Sequence, residues 1–228
     1  MENEEKTPET PSTAAPPDGS TLIQSPKGKI HCLTVIGQIE GHILLPPQNK
    51  TTKYEHVLPR LVAVEESEDA DGLLLLLNTM GGDVEAGLAI SEMIAGMKKP
   101  TVSLVLGGGH SIGVPLAVSA DVSFISPTAS MTLHPIRLSG TVIGAPQTFA
   151  YLTRMQERVI RFVSAHSKMP SADFRRMILT TGELLGDMGT VLLGEDAVSC
   201  GLIDRVGTIH DAIETLYTLI EKNRPSRA

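Results

Sequence analysis

The chain has 228 residues, 41% of them hydrophobic, and a formal net charge of −7, enough for one domain with a sizeable core. Aromatic residues make up only 3% and tryptophan is absent, so the core must be built from Leu, Val, Ile, Ala and Met. An acidic chain with so few rings has neither the basic surface nor the stacking platforms of a nucleic-acid binder, and nothing to hold it to an anionic membrane.

The first residues, Met1-Glu-Asn-Glu-Glu5, are acidic where a secretory signal is basic. No apolar run approaches the roughly 18–20 residues of a membrane span. The chain therefore reads as cytoplasmic. Residues 1–20 include Thr7-Pro-Glu-Thr-Pro-Ser-Thr-Ala-Ala-Pro-Pro-Asp-Gly19, which has nothing to bury and reads as a disordered tail. Residues 21–228 read as one domain. A strand is predicted over 30–37, followed by a loop over 45–53 with turn chemistry and no periodicity, then a helix over 55–66. Gly72-Leu-Leu-Leu-Leu-Leu77 is a continuous apolar run that suits a strand buried on both faces of a parallel sheet. After Asn78-Thr-Met-Gly-Gly-Asp83 a helix is predicted over 84–97. Its residues Ala86, Ala89, Ile90, Met93, Ile94 and Met97 share one face, Lys98 and Lys99 suit its C-terminus, and Pro100 stops it.

A second strand–helix unit follows: a strand over 101–106, the turn Gly107-Gly-Gly-His110, and a helix from Ser111 to about 120. Short strands are predicted over 122–125 and 130–133. A long amphipathic helix over 147–168 carries Leu152, Met155, Val159, Ile160 and Val163 on one side. Ser171 caps a shorter helix to about 179. The chain ends with a helix, a strand over 202–206 and a helix over 210–221. This alternation predicts an α/β fold with right-handed crossovers and no internal repeat. The two cysteines, Cys32 and Cys200, lack metal-ligand spacing and read as buried thiols in a reducing compartment.

In such folds functional groups gather where strands end and helices begin. Two of these junctions are glycine-rich. Gly81-Gly82 allows close backbone approach, either for an oxyanion held by N–H groups or for a tight turn with no ligand. Gly107-Gly-Gly-His-Ser-Ile-Gly113 places Ser111 at a helix start, either as a nucleophile favoured by the helix dipole or as a plain cap; Gly109 and Gly113 would let a substrate backbone pass. None of the seven histidines has helix-face metal spacing with a carboxylate, so no metal site is expected. His134, at a strand end, is the better placed general base. His110 is adjacent to Ser111, and sequence neighbours usually point apart.

Together these pieces resemble the proteolytic subunit of the Clp protease family, over about residues 35–206. Val35-Ile-Gly-Gln-Ile-Glu-Gly-His42 is similar to the family's early strand and turn. Leu77-Asn-Thr-Met-Gly-Gly82 resembles its Asn-Ser-Pro-Gly-Gly loop, and Gly107 to Gly113 its Gly-x-Ala-Ala-Ser-Met-Gly nucleophile motif. Met131-Thr-Leu-His134 resembles its Met-Ile-His, and Ala197-Val-Ser-Cys-Gly-Leu-Ile-Asp204 its Ala-x-x-Tyr-Gly-Leu-Ile-Asp. The pattern is nearer to the translocation-enhancing, Clp-protease-like branch than to the housekeeping subunit. The chain departs from the family in Met80 for a proline, Gly109-His110 for Ala-Ala, Leu74 and Leu76 for tyrosines near the ATPase-docking pocket, and an apparent insertion over 46–53.

The resemblance implies a crotonase-like fold of strand–helix units with a protruding handle helix over 147–168. It implies homo-oligomeric rings, as heptamers or stacked heptamers, and peptide or unfolded-protein substrates. It also implies a Clp-type ATPase partner, for which Leu74 and Leu76 do not match the usual docking surface. It assigns Ser111 as nucleophile, His134 as base, the N–H groups of Gly82 and Ile112 as the oxyanion hole, and Gly81 and Gly109 to the substrate-binding loop, without a cofactor. The family spacing counted back from Gly201 falls on Gly189, and the nearest acid is Asp187. Asp187 either completes a triad or is a solvated loop residue, with His134 then oriented by a backbone carbonyl or water. Rival readings are an acyl-CoA enzyme of the crotonase type, a Ser–Lys peptidase using Lys168 or Lys99, and a ring scaffold without hydrolysis.

Overall fold

The computed structural model describes residues 20–138, 143–182 and 188–224. In chain order they form β1 (Ser20–Ser25), β2 (Gly28–Glu40), β3 (Thr51–Lys53), α1 (Tyr54–Glu66), β4 (Gly72–Gly82), α2 (Val84–Ala95), β5 (Thr101–Gly109) and α3 (Gly113–Val118). Then come β6 (Val122–Ile125), β7 (Ser130–Leu133), α4 (Ala145–Ala165), α5 (Ser171–Ile178), β8 (Thr190–Leu193), α6 (Gly194–Ser199), β9 (Arg205–Val206) and α7 (Ile209–Asn223). The described strands join in the order β1-β2-β4-β5-β6-β9, with β3 on β2 and β7 linking β5 to β8. β1/β2 and β7/β8 are antiparallel, and the other pairings are parallel. The chain is thus α/β, with nine strands among the described residues in a mostly parallel sheet.

The leucine run lies at the centre of that sheet, between β2 and β5. Strand side chains alternate between faces, and the run supplies both. Leu73, Leu75 and Leu77 join the larger core with α1 to α5. Leu74 joins a second core under α7, with Leu104, Phe124, Leu216 and Ile220. Each buried leucine contributes about 1.5–3 kcal/mol relative to exposure. Leu74 and Leu76 both face this α7 layer.

The strands run further than the apolar patterns predict. β4 continues through Gly82 and β5 through Gly109, so both glycine motifs are strand ends in the sheet and not free loops. β2 begins earlier because Gly28–Leu33 pairs with β1 in a hairpin around Pro26 and Lys27. Within the expected loop over 45–53, β3 pairs with Gln38–Glu40, and Thr52 Oγ1 bonds both the N–H and the carbonyl of Ile36. The expected tail lies outside the described residues except Ser20, which opens β1.

α2 buries Ala86, Ile90 and Ile94 of the predicted face together with Gly87, Leu88 and Ser91, while Ala89, Met93 and Met97 are only partly buried, and Asp83 accepts the Ala86 N–H at 2.8 Å as its cap. It ends at Ala95, and Lys99 instead donates to the carbonyls of Val64 and Ser67 at the end of α1. The helix predicted from Ser111 starts two residues later, at Gly113, because the Ser111 backbone is not helical (φ 57°). α4 spans Ala145–Ala165 and not 147–168. Its second half packs through Met155, Val159, Ile160, Phe162 and Val163, while Phe149 near its start is 73% exposed. Ser171 is the first residue of α5, and Pro170 takes the flanking position. The last strand is only Arg205–Val206, with Leu202 and Ile203 buried in the turn before it. Cys32 and Cys200 are unpaired and half-buried. Among the described residues no helix is long and apolar enough to cross a membrane.

Candidate active site

The end of β4 lies against the end of β5, with Thr79 paired to Gly109. From there the chain turns through His110, Ser111 and Ile112 into α3. Ser111 has φ 57°, the left-handed region, and is the one non-glycine among the described residues to do so. An L-residue there costs about 1–2 kcal/mol. Four main-chain bonds offset that strain. The His110 N–H donates to the Thr79 carbonyl (3.1 Å) and the Ser111 N–H to the Thr132 carbonyl (2.8 Å). The Gly113 N–H donates to His110 (2.8 Å) and the Val114 N–H to Ser111 (3.0 Å). The N–H of Ile112, between Ser111 and Gly113, takes no part in these four bonds.

Gly81 shows why this junction needs glycine. Its φ is 90°, and a Cβ there would stand 2.7 Å from the Ser111 Cβ and 2.8 Å from the His110 carbonyl oxygen. Any side chain would push the serine turn away. Thr79 fixes the same segment, since its hydroxyl donates to the Gly37 carbonyl (2.6 Å) and accepts the Gly81 N–H (3.0 Å). Gly82 follows, packed so closely on β2 that a Cβ would lie 2.1 Å from the Ile39 oxygen. Gly109 is different. It is buried, and the space above its Cα is filled by Val105 and Met131, so it faces the core and not the cavity at Ser111.

His134 follows the last residue of β7, the strand whose Thr132 carbonyl holds Ser111. Its Nδ1 lies 2.7 Å from the Pro135 carbonyl oxygen. A carbonyl only accepts, so Nδ1 carries the proton and the neutral ring keeps its basic lone pair on Nε2. Ser111, Ile112, Gly82 and His134 all line one cavity of about 240 Å³. Val114, Val159 and Phe174 give it apolar walls, and Met80 stands at its edge, 67% exposed. Gln156 of α4 also lines it, and accepts the Ile136 N–H at 2.8 Å. α4 therefore anchors the segment that follows His134.

His110 does not line this cavity. Its Nδ1 is 2.9 Å from Thr132 Oγ1. Burial, and then the charge of His134, lower its pKa below that of an ordinary histidine. The structure thus brings together Ser111, Ile112, Gly82 and His134, with Gly81 packed beneath. Asp187 lies outside the described residues. Gln156, Thr79 and Thr132 escape sequence reasoning; only the alternation of Ser130 and Thr132 with the apolar Met131 and Leu133 along β7 signals the face of Thr132 in advance. Among the described residues no group of three or more His, Cys, Asp or Glu side chains is placed to hold a metal ion. The arrangement supplies a strained serine, an imidazole with a free Nε2, and two main-chain segments that carry N–H groups to the same cavity.

A family model described as Clp protease matches residues 26–210. The translocation-enhancing protein TepA of Halalkalibacterium halodurans is 61% identical over 199 residues, covering 87% of this chain and 78% of that protein. A putative protease of Methanocaldococcus jannaschii is 24% identical over 214 residues, covering 82% of this chain and 67% of that protein. An ATP-dependent Clp protease proteolytic subunit of Protochlamydia amoebophila is 24% identical over 162 residues, covering 70% and 76%.

Proposed function

The chain belongs to the Clp protease family, and from that premise we propose that it is a serine peptidase that cleaves peptide bonds by acyl transfer. The observation that carries this reading is the left-handed Ser111, packed on Gly81 and sharing one cavity with His134. Ser111 Oγ attacks the peptide carbonyl as His134 Nε2 takes its proton, and the imidazolium then protonates the leaving amine. The developing oxyanion is held by the N–H groups of Ile112 and Gly82. Each such donor contributes about 10²–10³ in rate. The Pro135 carbonyl fixes the His134 tautomer and stabilises its charge in the place usually given to a carboxylate.

The working form is a homo-oligomeric ring of heptameric type. Its support, besides the family, is the apolar surface around the start of α4, where Ile143 is 86%, Phe149 73% and Tyr151 49% exposed. A monomeric soluble protein seldom leaves such a group uncovered. Peptides or unfolded chains are the substrates. Delivery by a Clp-type ATPase is not required by this reading, since Leu74 and Leu76 lie under α7.

A fluorophosphonate provides the test, with the modified residue located by mass spectrometry. The expected adduct is on Ser111, lost in Ser111→Ala and strongly reduced in His134→Ala. An assembled wild-type protein that forms no adduct, or forms it elsewhere, would favour a ring scaffold without hydrolysis. Light scattering at micromolar concentration tests assembly separately, and a monomer would refute the ring.

A further inference from the structure

His110 stands where the family motif has alanine, and three contacts converge on it. Its Nδ1 meets Thr132 Oγ1 at 2.9 Å. Its ring folds back over Gly108, where a Cβ would stand 2.4 Å from Nε2. The ring thus occupies the notch that the missing Cβ leaves. Its main chain donates to Thr79 at 3.1 Å and accepts from Gly113 at 2.8 Å, bridging β4 and the start of α3. Thr132 in turn accepts the Ser111 N–H at its carbonyl, 2.8 Å away. One residue of β7 therefore grips the His110 ring by its side chain and the Ser111 amide by its main chain. His134 follows two residues after Thr132, close enough for its charge to act on His110.

We propose that His110 is a positioning residue of the site: its neutral imidazole, wedged between Gly108 and Thr132, locks the left-handed Ser111 turn onto the strand that leads to His134. The role rests on the peptidase reading above. A left-handed serine needs its surroundings to hold it there, and the main-chain bonds reach the turn from β4, β7 and α3 but not from the side of Gly108. The ring packs against the turn from that side. It also suits the chemistry, because burial, and then the charge of His134, oppose a charge on His110. His134 is the titratable group that acts on it; β4 and β5 present Thr79 and Gly108 to it, and α3 carries apolar residues alone.

The test resolves fluorophosphonate inactivation of the assembled protein into an inhibitor binding constant and a first-order acylation rate. His110→Ala, His110→Phe and Thr132→Val are each expected to slow acylation by about 10²-fold, the penalty of misplacing a reacting group, with binding unchanged. Gly108→Ala displaces the ring and is expected to behave like His110→Ala. His110→Asn carries an amide to the position of Nδ1 and is expected to recover most of the rate, which a loss of packing alone would not allow. Melting temperatures identify any variant that fails to fold, and Thr132→Val then stands in for His110→Ala. Side-chain NMR titration supplies a second readout that needs no activity: His134→Ala is expected to raise the pKa of His110. Wild-type acylation rates in His110→Ala and Thr132→Val would overturn the proposal and leave the peptidase reading standing. An unshifted His110 titration in His134→Ala would overturn the action of His134 on His110. Absence of any Ser111 adduct in the wild type would instead defeat the peptidase reading itself.

Discussion

The amide of Ser111 donates to the carbonyl of Thr132 at 2.8 Å, so the candidate nucleophile is tied by main chain to the strand that delivers His134. That tie holds only while the end of β4 lies flush beneath it. Gly81→Ala would bring a methyl group to 2.7 Å from the Ser111 Cβ, at a φ of 90°. The variant is expected to lose about 1–3 kcal/mol of stability and about 10²-fold in Ser111 acylation rate. Urea unfolding and fluorophosphonate kinetics on the same sample measure both, and a wild-type acylation rate would mean that the contact does not position the serine.

Strain at Ser111 predicts a gain as well as a loss. Glycine adopts φ 57° freely, at the cost of a more flexible unfolded chain. Ser111→Gly is therefore expected to be more stable than the wild type by about 0.5–1 kcal/mol while forming no adduct. A less stable Ser111→Gly would show that the serine turn is not strained.

The His134 ring has one Nδ1 proton, and the Pro135 carbonyl accepts it at 2.7 Å. A carboxylate is then not needed to choose the tautomer. Asp187→Asn is expected to change the acylation rate by less than about threefold, against the roughly 10⁴-fold loss when a triad acid is amidated. A loss of that larger order, in protein checked for intact assembly, would return Asp187 to the site and displace the carbonyl.

Asp204 predicts a pH dependence. Burial raises its pKa, but hydrogen bonds from Lys168 and from the N–H and hydroxyl of Ser123 outweigh this and lower it. A group with a depressed folded pKa stabilises the fold above its unfolded value, about 3.9 for Asp, and that contribution is lost as pH falls through the folded value. Asp204→Asn is expected to cost about 1–3 kcal/mol at pH 7, with the difference from wild type shrinking below about pH 4. Urea midpoints at pH 7 and pH 3 decide it; an equal difference at both would separate the role of Asp204 from its charge.

Much of this was legible in the residues. The five leucines announce a strand buried on both faces, and the spacing from Ala86 to Ile94 announces the buried face of α2. The order of five short motifs points to Ser111 and His134 together. Three features were not legible, each for a physical reason. β1 is an exposed edge strand and carries no core pattern; the turn around Pro26 and Lys27 is its only signal. β3 has three residues, too few for any period. The backbone of Ser111 is set by Thr79, Thr132 and Gly81, all distant in sequence, so local preference reads the same residues as the start of a helix.

A strand that is leucine on both sides carries little information about where along its neighbours it should sit. Alternation normally forbids a one-residue slip, yet β4 shifted by two would still offer leucine to most of its buried positions. What distinguishes the correct alignment lies at the two ends. At one end the Asp71 carboxylate accepts the Lys29 N–H at 2.8 Å. At the other, Thr79 reaches Gly37 and Gly81 meets the serine turn. The glycine junction is thus also the ruler that marks the native alignment of the central strand. A sheet set in any other register would lose these end contacts, and with them the close approach of Gly81 to the serine turn, so the register of the central strand and the geometry of the site are one specification.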